Sequence, residues 1–351
     1  MPTSRSNDAN RAKARILRLS LRDPASSIKH MKNKSLSRRN KKNIIITMGD
    51  PSGVGPEVAL KALASPELKG LANFLLVGDR CLLEKVARDM SVKLEAAILD
   101  MENVRPSDFA YGVSRPEFGK AAVDYLDKAI DLIKLGEADA MVTAPINKAS
   151  IISAGFRGFE GHTEYLAGKT NSKNAVMMFV GPKLKETLVT RHIAFKDVAK
   201  TITTEKIFST IQATYNGLRD LLNIKKPVIA VAGLNPHAGE SGLFGDEESR
   251  IIAPAVKKAR RLFKNIHGPV PPDVVFYYAL NGKYDAVVAL YHDQALIPFK
   301  MLYFKDGVNM TLGLPFIRTS PDHGTAFDIA GKGAADPSSM IEAVKLASRL
   351  A

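Results

Sequence analysis

Cysteine is scarce in this sequence, with Cys81 as the only one among 351 residues. A single thiol excludes an intrachain disulfide and a multi-cysteine metal cluster, and it suits the reducing cytoplasm, where we expect the protein to be found. Long apolar runs are also missing, since none approaches the ~20 residues that a membrane-spanning helix needs. The sequence therefore predicts no membrane partner. Its 45% of apolar residues is ample for a globular core.

Acidic residues are scarce at one end of the chain. Residues 1–42 hold 13 Lys and Arg against two acids, so they carry +11 of the formal net charge of +14 and leave about +3 for the rest. This segment has too few bulky apolar residues for a core, and we expect a basic, disordered extension. An upstream start codon with Met31 as the true start, a targeting peptide and a nucleic-acid-binding arm stay open as alternatives. The nearly neutral remainder predicts no nucleic-acid partner.

From residue 43 onward, strand-like and helix-like segments alternate. Mostly apolar runs predict strands buried on both faces at 43–50, 73–79, 138–146, 175–181, 185–195, 227–237 and 285–293. Helical periodicity predicts helices at 56–65, 81–90, 117–135, 203–222, 247–264 and 338–350. The alternation predicts α/β layers around a mostly parallel sheet, with the fourth and fifth runs as an antiparallel hairpin. The chain exceeds one typical domain, so we expect two lobes.

Polar side chains stand where the predicted strands end. Ligands of open α/β sheets bind beyond the carboxyl ends of the strands, and His192, His237 and His292 all fall at such ends. Three imidazoles with open positions describe a catalytic metal site. Zn²⁺, Co²⁺ or Ni²⁺ would suit them better than Mg²⁺, which prefers oxygen ligands but stays possible beside the nearby aspartates. Their spacing matches no local zinc motif, so hydrogen-bonded structural histidines remain the alternative.

Two further segments are candidate ligand loops. GDPSGVGPE (49–57) joins a strand to a helix through three glycines, which lets the backbone approach an anion at the helix N-terminus. It matches neither GxGxxG nor the P-loop, and a tight turn without a ligand is the alternative. SPDHGTAFDIAGKGAADP (320–337) has the length and polarity of an ordered functional loop. Lys300, Asn309 and Arg318 lie in the same third of the chain and are candidates to grip a phosphate or carboxylate.

Six segments together resemble one family, the 4-hydroxythreonine-4-phosphate dehydrogenases of pyridoxal phosphate biosynthesis. They are GDPSGVGPEV, TAPINK, GHTEYLAG, LNPHAGESGLFGDEE, YHDQALIPFK and RTSPDHGTAFDIAGKGAADP. The resemblance runs in order from about residue 43 to the C-terminus. The first and last of these segments are also similar to parts of the isocitrate and isopropylmalate dehydrogenases.

The resemblance implies a fold and an assembly. It implies the two-domain isocitrate/isopropylmalate dehydrogenase-like fold, a three-layer α/β/α architecture with mostly parallel sheets. One domain would combine 43–154 with 313–351 and carry the dinucleotide loop. The other, 155–312, would carry the metal and substrate groups and the dimer interface. Active sites would be shared between the two subunits of a homodimer.

The resemblance also assigns roles residue by residue. The implied metal ligands are His192, His237 and His292. The implied substrate-binding residues are His162, Thr163, Lys300, Asn309 and Arg318. The implied catalytic residues are Asp273, Asp293 and Lys300. The implied loop around NAD or NADP contains Asp322, His323, Gly324, Thr325 and Asp328.

The implied reaction is the oxidation of 4-phosphooxy-L-threonine at C3 by NAD or NADP, followed by decarboxylation to 3-amino-2-oxopropyl phosphate. Related enzymes act instead on D-erythronate or D-threonate 4-phosphate, where a hydroxyl replaces the 2-amino group, and the quoted segments do not separate these substrates. Two hypotheses come from other classes of protein. A zinc hydrolase of phosphate esters is one, but it assigns no function to the segment DHGTAFDIAGKG. A nucleic-acid-binding protein acting through residues 1–42 is the other.

Overall fold

The computed structural model describes residues 41–351, and the expectations for the N-terminal extension lie outside them. The strands are β1 Asn43–Thr47, β2 Asn73–Gly78, β3 Ala97–Asp100, β4 Ala140–Thr143, β5 Val176–Val180, β6 Lys185–Leu188, β7 Ile229–Ala232, β8 Ile266–Val270, β9 Ala286–Ala289, β10 Val308–Leu312 and β11 Ile317–Pro321. The helices are α1 Gly55–Ala64, α2 Arg80–Asp89, α3 Pro116–Lys134, α4 Lys148–Ser153, α5 His162–Lys169, α6 Val198–Thr201, α7 Thr204–Asn216, α8 Ala253–Arg260, α9 Pro272–Leu280, α10 His292–Tyr303 and α11 Ser338–Leu350. In this part of the chain no helix is both long and apolar enough to cross a membrane.

The eleven strands of the described chain form one sheet in the order β3-β2-β1-β4-β11-β10-β5-β6-β9-β7-β8. Seven of the ten strand pairings are parallel. The antiparallel pairings join β11 to β10, β10 to β5 and β5 to β6, so the predicted hairpin is confirmed. The mostly parallel α/β sheet is likewise confirmed. The division into domains 43–154 plus 313–351 and 155–312 stays a prediction.

Successive side chains of the central strands enter opposite cores, which places helices on both faces of the sheet. On β9, Val287 and Ala289 pack with Phe299 of α10, whereas Val288 packs with Ile211 of α7. A strand whose two faces are both buried reads as a continuous apolar run. This arrangement gives the three layers that the sequence predicts.

Local sequence explains the best-predicted elements. In β1 the run Ile44–Ile46 is 0–1% exposed, and β-branched side chains favour this extended, buried backbone. Helix α3 begins with Pro116, whose missing N–H costs nothing at a helix start. Its buried residues Phe118, Ala122 and Tyr125 recur at helical spacing and face the core.

Several predicted boundaries are wrong. The strand predicted at 185–195 ends at Leu188, because the chain leaves the sheet there in irregular turns. The predicted helices 203–222 and 247–264 each contain a π-helical turn, at Gly217–Leu221 and Glu248–Ile252. Helices α4, α5, α6, α9 and α10 and strands β3, β8, β10 and β11 were not predicted, since each is short or interrupted by Gly or Pro.

One acidic residue of the sheet lacks any partner. Glu186 on β6 is 0% exposed, and its register neighbours are Phe179 on β5 and Val287 on β9. Neither carboxyl oxygen has a hydrogen-bond partner. Burial raises the pKa of Glu186 to about 9, and the negative charge of Asp322 adds to the rise. The side chain is therefore a neutral acid at pH 7.

Replacing Glu186 tests this protonation state. In the unfolded chain the carboxyl ionises near its ordinary pKa, so between that value and about 9 the folded state binds more protons. Native stability consequently falls as pH rises through this window, by up to about 1.4 kcal/mol per pH unit. We expect Glu186→Leu to be more stable than the wild type, with a larger gain at pH 8 than at pH 5 in urea unfolding.

The exposed Glu84 on α2 provides the matched control. Glu84→Leu should show no gain that grows with pH. Equal pH dependence of stability in the wild type and Glu186→Leu would mean that Glu186 is not a buried neutral acid.

Candidate active site

Three adjacent parallel strands carry the three candidate metal ligands beyond their carboxyl ends. The order β6-β9-β7 places His192, His292 and His237 at the same edge of the sheet. The rings of His192 and His292 lie with their centroids 5.6 Å apart. Two of the three imidazoles predicted as ligands are thus brought together within one chain.

The pair His292-Asp293 forms the first turn of α10. His292 Nδ1 lies 2.6 Å from Asp293 Oδ1, and since a carboxylate only accepts, Nδ1 is the donor. This hydrogen bond fixes the tautomer and leaves Nε2 as the acceptor that can bind a metal. Asp293 is 71% exposed, so it is accessible from outside the chain.

His192 is kept in the neutral form that metal ligation requires. Burial lowers its pKa, and the positive charge of Lys148 and the neighbouring His292 act in the same direction. Lys148 Nζ lies 3.5 Å from His192 Nδ1. Lys148 itself begins α4, directly after the segment TAPIN.

His237 lies apart from this pair. It is exposed, and the ring nearest to it is that of Phe244, with centroids 6.3 Å apart. Among residues 41–351, no three His, Cys, Asp or Glu side chains are gathered as a metal-binding group. The imidazoles of His192 and His292 therefore fit a metal in donor chemistry, but a full site needs a further ligand.

A buried arginine marks a second part of the site. Arg318 on β11 is 2% exposed, and its Nε and Nη2 donate to Thr143 Oγ1 at 3.1 and 2.7 Å. Its Nη1 donates to Thr311 Oγ1 at 3.1 Å. In the described chain no carboxylate is hydrogen-bonded to it. Burial lowers the pKa of Arg318 to about 9, and Glu164 opposes this only in part.

The guanidinium has five N–H donors, and three are used by the two threonines. Burying a cation without a carboxylate partner costs free energy. The remaining N–H donors of Arg318 are therefore suited to bind an anion. The predicted substrate residues His162 and Thr163 are beside it. Thr163 Oγ1 lies 3.4 Å from Thr311 Oγ1, and burial lowers the pKa of His162 well below its usual value, helped by the charge of Arg318.

Several candidate residues have buried polar atoms without hydrogen-bond partners in the described chain. They include Thr47 Oγ1, Asp50 Oδ2, His162 Nε2, Asn309 Oδ1 and His323 Nε2. Thr47 is the register partner of Thr143, which holds Arg318, and Asn309 stands two residues before Thr311 on the same strand. Native proteins leave few such atoms unpaired, so the unpaired atoms of Thr47, Asn309 and His162, the last of which feels the charge of Arg318, indicate a polar ligand site.

Lys300 connects the substrate candidates to the predicted dinucleotide loop. Its ammonium donates to the backbone oxygen of Asp322 at 2.9 Å and lies 3.2 Å from Asp322 Oδ2. Burial raises the pKa of Asp322, whereas the Lys300 charge works against that rise. Gly324 is exposed, and a Cβ at this position would meet no atom within 4 Å.

The two candidate ligand loops contact each other. The backbone N–H of Val54 donates to Thr325 O at 2.9 Å, and a Cβ on Gly53 would lie 2.9 Å from Thr325 Cβ. Glycine is thus required where the first loop meets the second. Asp50 lies in the first loop, and burial raises its pKa to about 6. The sequence placed these loops far apart in the chain, and the fold joins them.

Two predicted residues stand outside these contacts. In the described chain, Asp273 and Asp328 are exposed and no hydrogen bond or ion pair joins either to the other candidates. The sequence did not single out two of the residues at the site. Thr311 accepts a hydrogen bond from Arg318, and Lys148 approaches His192. For Lys148 a signal was present in TAPINK at a strand end. No sequence signal marked Thr311, because threonine is common in strands.

The fold and the buried guanidinium of Arg318 indicate an α/β enzyme that acts on a small anionic substrate. Comparison with known proteins makes the class specific. The family model "Pyridoxal phosphate biosynthetic protein PdxA" matches residues 70–347. The chain belongs to this family, and the resemblance read from the six segments is confirmed.

Named relatives carry two activities. A 4-hydroxythreonine-4-phosphate dehydrogenase of Desulforapulum autotrophicum is 43% identical over 88% of this chain and 95% of its own length. A putative D-threonate 4-phosphate dehydrogenase of Oceanobacillus iheyensis is also 43% identical, over 89% of this chain and 99% of its own. The crystal structure of the Klebsiella pneumoniae 4-hydroxythreonine-4-phosphate dehydrogenase has a TM-score of 0.81 at 40% identity, covering 88% of this chain and 99% of that one.

Anion binding at Arg318 predicts a thermal shift. Inorganic phosphate or malonate at about ten times its dissociation constant should stabilise the wild type by about 1.4 kcal/mol, or roughly 2 °C in Tm. In Arg318→Met this shift should vanish, because the buried donors are gone. Differential scanning fluorimetry measures both proteins across an anion titration.

Arg219→Met is the matched control, since Arg219 is exposed and pairs with Asp220. It should keep the wild-type response. A full anion-dependent shift in Arg318→Met would show that the anion binds elsewhere.

Proposed function

We propose that this protein oxidises 4-phosphooxy-L-threonine at C3 with NAD or NADP and releases CO2, giving 3-amino-2-oxopropyl phosphate for pyridoxal phosphate biosynthesis. The observation that carries the proposal is the buried Arg318, whose guanidinium has N–H donors left for an anion. The paired imidazoles of His192 and His292 support it. The substrate has two anionic groups and a reacting hydroxyl between them. Membership of the PdxA family supports the same reaction. We place the enzyme in the cytoplasm.

Substrate binding uses the buried polar groups. Arg318 receives the phosphate or the carboxylate, with His162, Thr163 and Asn309 offering the neighbouring polar atoms. Lys300 approaches from α10 and supplies a second cation. Because the ligand displaces water from around Arg318, its hydrogen bonds to the anion form in a low dielectric and hold the substrate in one orientation.

His192 and His292 would hold a divalent metal (Zn²⁺, Co²⁺, Ni²⁺ or Mg²⁺), with His237 supplied by a second copy of the chain. When bound there, such an ion acts as a Lewis acid toward the oxygen at C3. The hydrogen bond from His292 to Asp293 orients the imidazole for this role.

The reaction removes one proton from the substrate and later adds one to it. The C3 hydrogen leaves as hydride to the nicotinamide, the hydroxyl proton goes to a base, and a proton reaches C2 after CO2 has left. Asp293 and Asp273 are the candidate bases, both exposed and open to a second subunit. The Lys300 ammonium, held by Asp322, is the candidate donor to C2.

The nicotinamide cofactor is assigned to the loop that follows β11. His323 has a buried Nε2 without a partner, and Gly324 leaves open space around the backbone. These features fit an adenosine moiety bound along the loop, with Asp322, Thr325 and Asp328 as the other contacts. The loop GDPSGVGPE (49–57) packs against Thr325 and thereby supports the loop that follows β11.

The apolar rim supports a homodimer with shared active sites. We define this rim as Phe195, Phe244, Ile297, Met301 and Phe304. These side chains are 46–81% exposed. Phe195 contacts Tyr291 next to His292, and Phe244 is the ring beside His237. Exposed apolar side chains grouped around an incomplete site indicate an interface. A second copy would cover the rim and bring the missing ligand.

A dehydrogenase of D-threonate or D-erythronate 4-phosphate is the second candidate, favoured by the names of relatives at the same 43% identity. To separate the two, NADH or NADPH formation is measured with each of the three substrates, with and without a chelator. We expect metal-dependent turnover to be fastest with 4-phosphooxy-L-threonine. Preference for a sugar-acid phosphate would move the assignment to the second candidate. Phosphate release without a nicotinamide would instead indicate a hydrolase.

His292→Ala tests the metal part of the proposal. Loss of one imidazole of the pair should abolish bound metal, measured by elemental analysis, and reduce kcat at least about a hundredfold, with an unchanged circular dichroism spectrum. His267→Ala, which changes an exposed histidine on β8, should behave as the wild type. An active His292→Ala protein with a full complement of metal would exclude His292 as a ligand.

A further inference from the structure

The loop that carries His237 has an unusual backbone. The five residues from His237 to Ser241 are all left-handed, with φ values of 53°, 55°, 82°, 40° and 60°. Four of them are not glycine, and this conformation is unfavourable for a residue with a Cβ. A strained segment of such length persists only where its surroundings hold it. The question is which group holds it.

Glu248 meets the base of this segment with its carboxylate. It is 5% exposed and stands in the π-helical turn that precedes α8. Oε1 accepts from the backbone N–H groups of Leu234 and Asn235 at 2.8 and 2.7 Å. Oε2 accepts from Asn235 Nδ2 at 2.9 Å. The buried charge thus receives three donors, all from the two residues that lead toward His237.

The strained segment also packs directly against this carboxylate. A Cβ on Gly239 would lie 2.8 Å from Glu248 Oε2, and one on Gly233 would lie 2.9 Å from Ala238 Cα. The N–H of Ala238 donates to Asn235 O at 3.1 Å, which closes the turn. Glu248 therefore contacts the chain on both sides of His237.

A second buried side chain ties the start of this loop to the other metal candidates. Gln294 on α10 accepts from the N–H of Leu290 and donates to Gly233 O, both at 2.7 Å. The end of β7 is thereby fixed relative to the turn that carries His292. Beyond Gly233, the side chain that bonds the backbone of Leu234 and Asn235, the residues leading toward His237, is that of Glu248.

We propose that Glu248 is a positioning residue, which holds His237–Ser241 in its left-handed form so that the His237 imidazole is presented to a metal. The inference rests on the metal site of the proposed function. The role is assigned to Glu248 because its buried carboxyl group bonds both backbone N–H groups that lead toward His237.

Metal affinity, measured without substrate or cofactor, tests the proposal. Co²⁺ is titrated into the metal-free protein and followed by visible absorption, with His292→Ala defining the background. We expect Glu248→Ala to raise the dissociation constant by about 10- to 100-fold, the usual effect of losing a partner that orients a ligand. Glu248→Gln should lose less, since its amide oxygen still accepts the two backbone N–H groups.

Glu247→Gln is the matched control. Glu247 is the neighbouring acid and contacts the side chain of Asn235 at 2.7 Å, without touching the backbone of the loop. It should bind Co²⁺ as the wild type does. This comparison separates the loss of loop support from the loss of a negative charge near the site.

The outcomes of the titration distinguish the role of Glu248 from the existence of the metal site. Wild-type affinity in both Glu248 variants would overturn the role of Glu248 and leave the metal site standing. Absence of Co²⁺ binding to the wild type above the His292→Ala background would overturn the metal site and this role together. If Glu248→Ala fails to fold by circular dichroism, Glu248→Gln decides, and unchanged affinity in that variant rejects the proposal.

Discussion

The site depends on a buried cation that is held by hydroxyl groups instead of a carboxylate. Arg318 joins three strands, because its guanidinium bonds Thr143 on β4 and Thr311 on β10 while its own backbone is part of β11. These strands lie where the parallel part of the sheet meets its antiparallel part. A carboxylate partner would have neutralised the group, whereas two threonines orient it and leave its charge for a ligand.

The direction of the strands places the candidate metal ligands. Parallel strands end at the same edge of a sheet, so β6, β9 and β7 bring three histidines to one side without any local sequence motif. Two of them meet within the chain, and the third stands on a strained loop near exposed aromatic and aliphatic side chains. The separation of His237 from the other two histidines is the reason for proposing that a second copy of the chain completes the site.

Sequence patterns predicted the layers better than the site. Runs such as Ile44–Ile46 and Val287–Val288 are apolar because both faces of the sheet are covered, and this property is local. Helix α10 was not predicted, since Pro298 lies inside it and interrupts its pattern. The burial of Arg318 was not predictable either, because arginine is mostly exposed and its partner Thr143 stands 175 residues away in the chain. The resemblance to a family supplied the candidate site residues, and only the fold shows which of them lie close together.

The most direct test of the account is a crystal structure of the protein with bound 4-phosphooxy-L-threonine. The account predicts that the phosphate or the carboxylate of the substrate accepts hydrogen bonds from the Arg318 guanidinium, with His192 and His292 facing the C3 hydroxyl. A substrate bound away from Arg318, with the guanidinium still bonded to Thr143 and Thr311 alone, would contradict it.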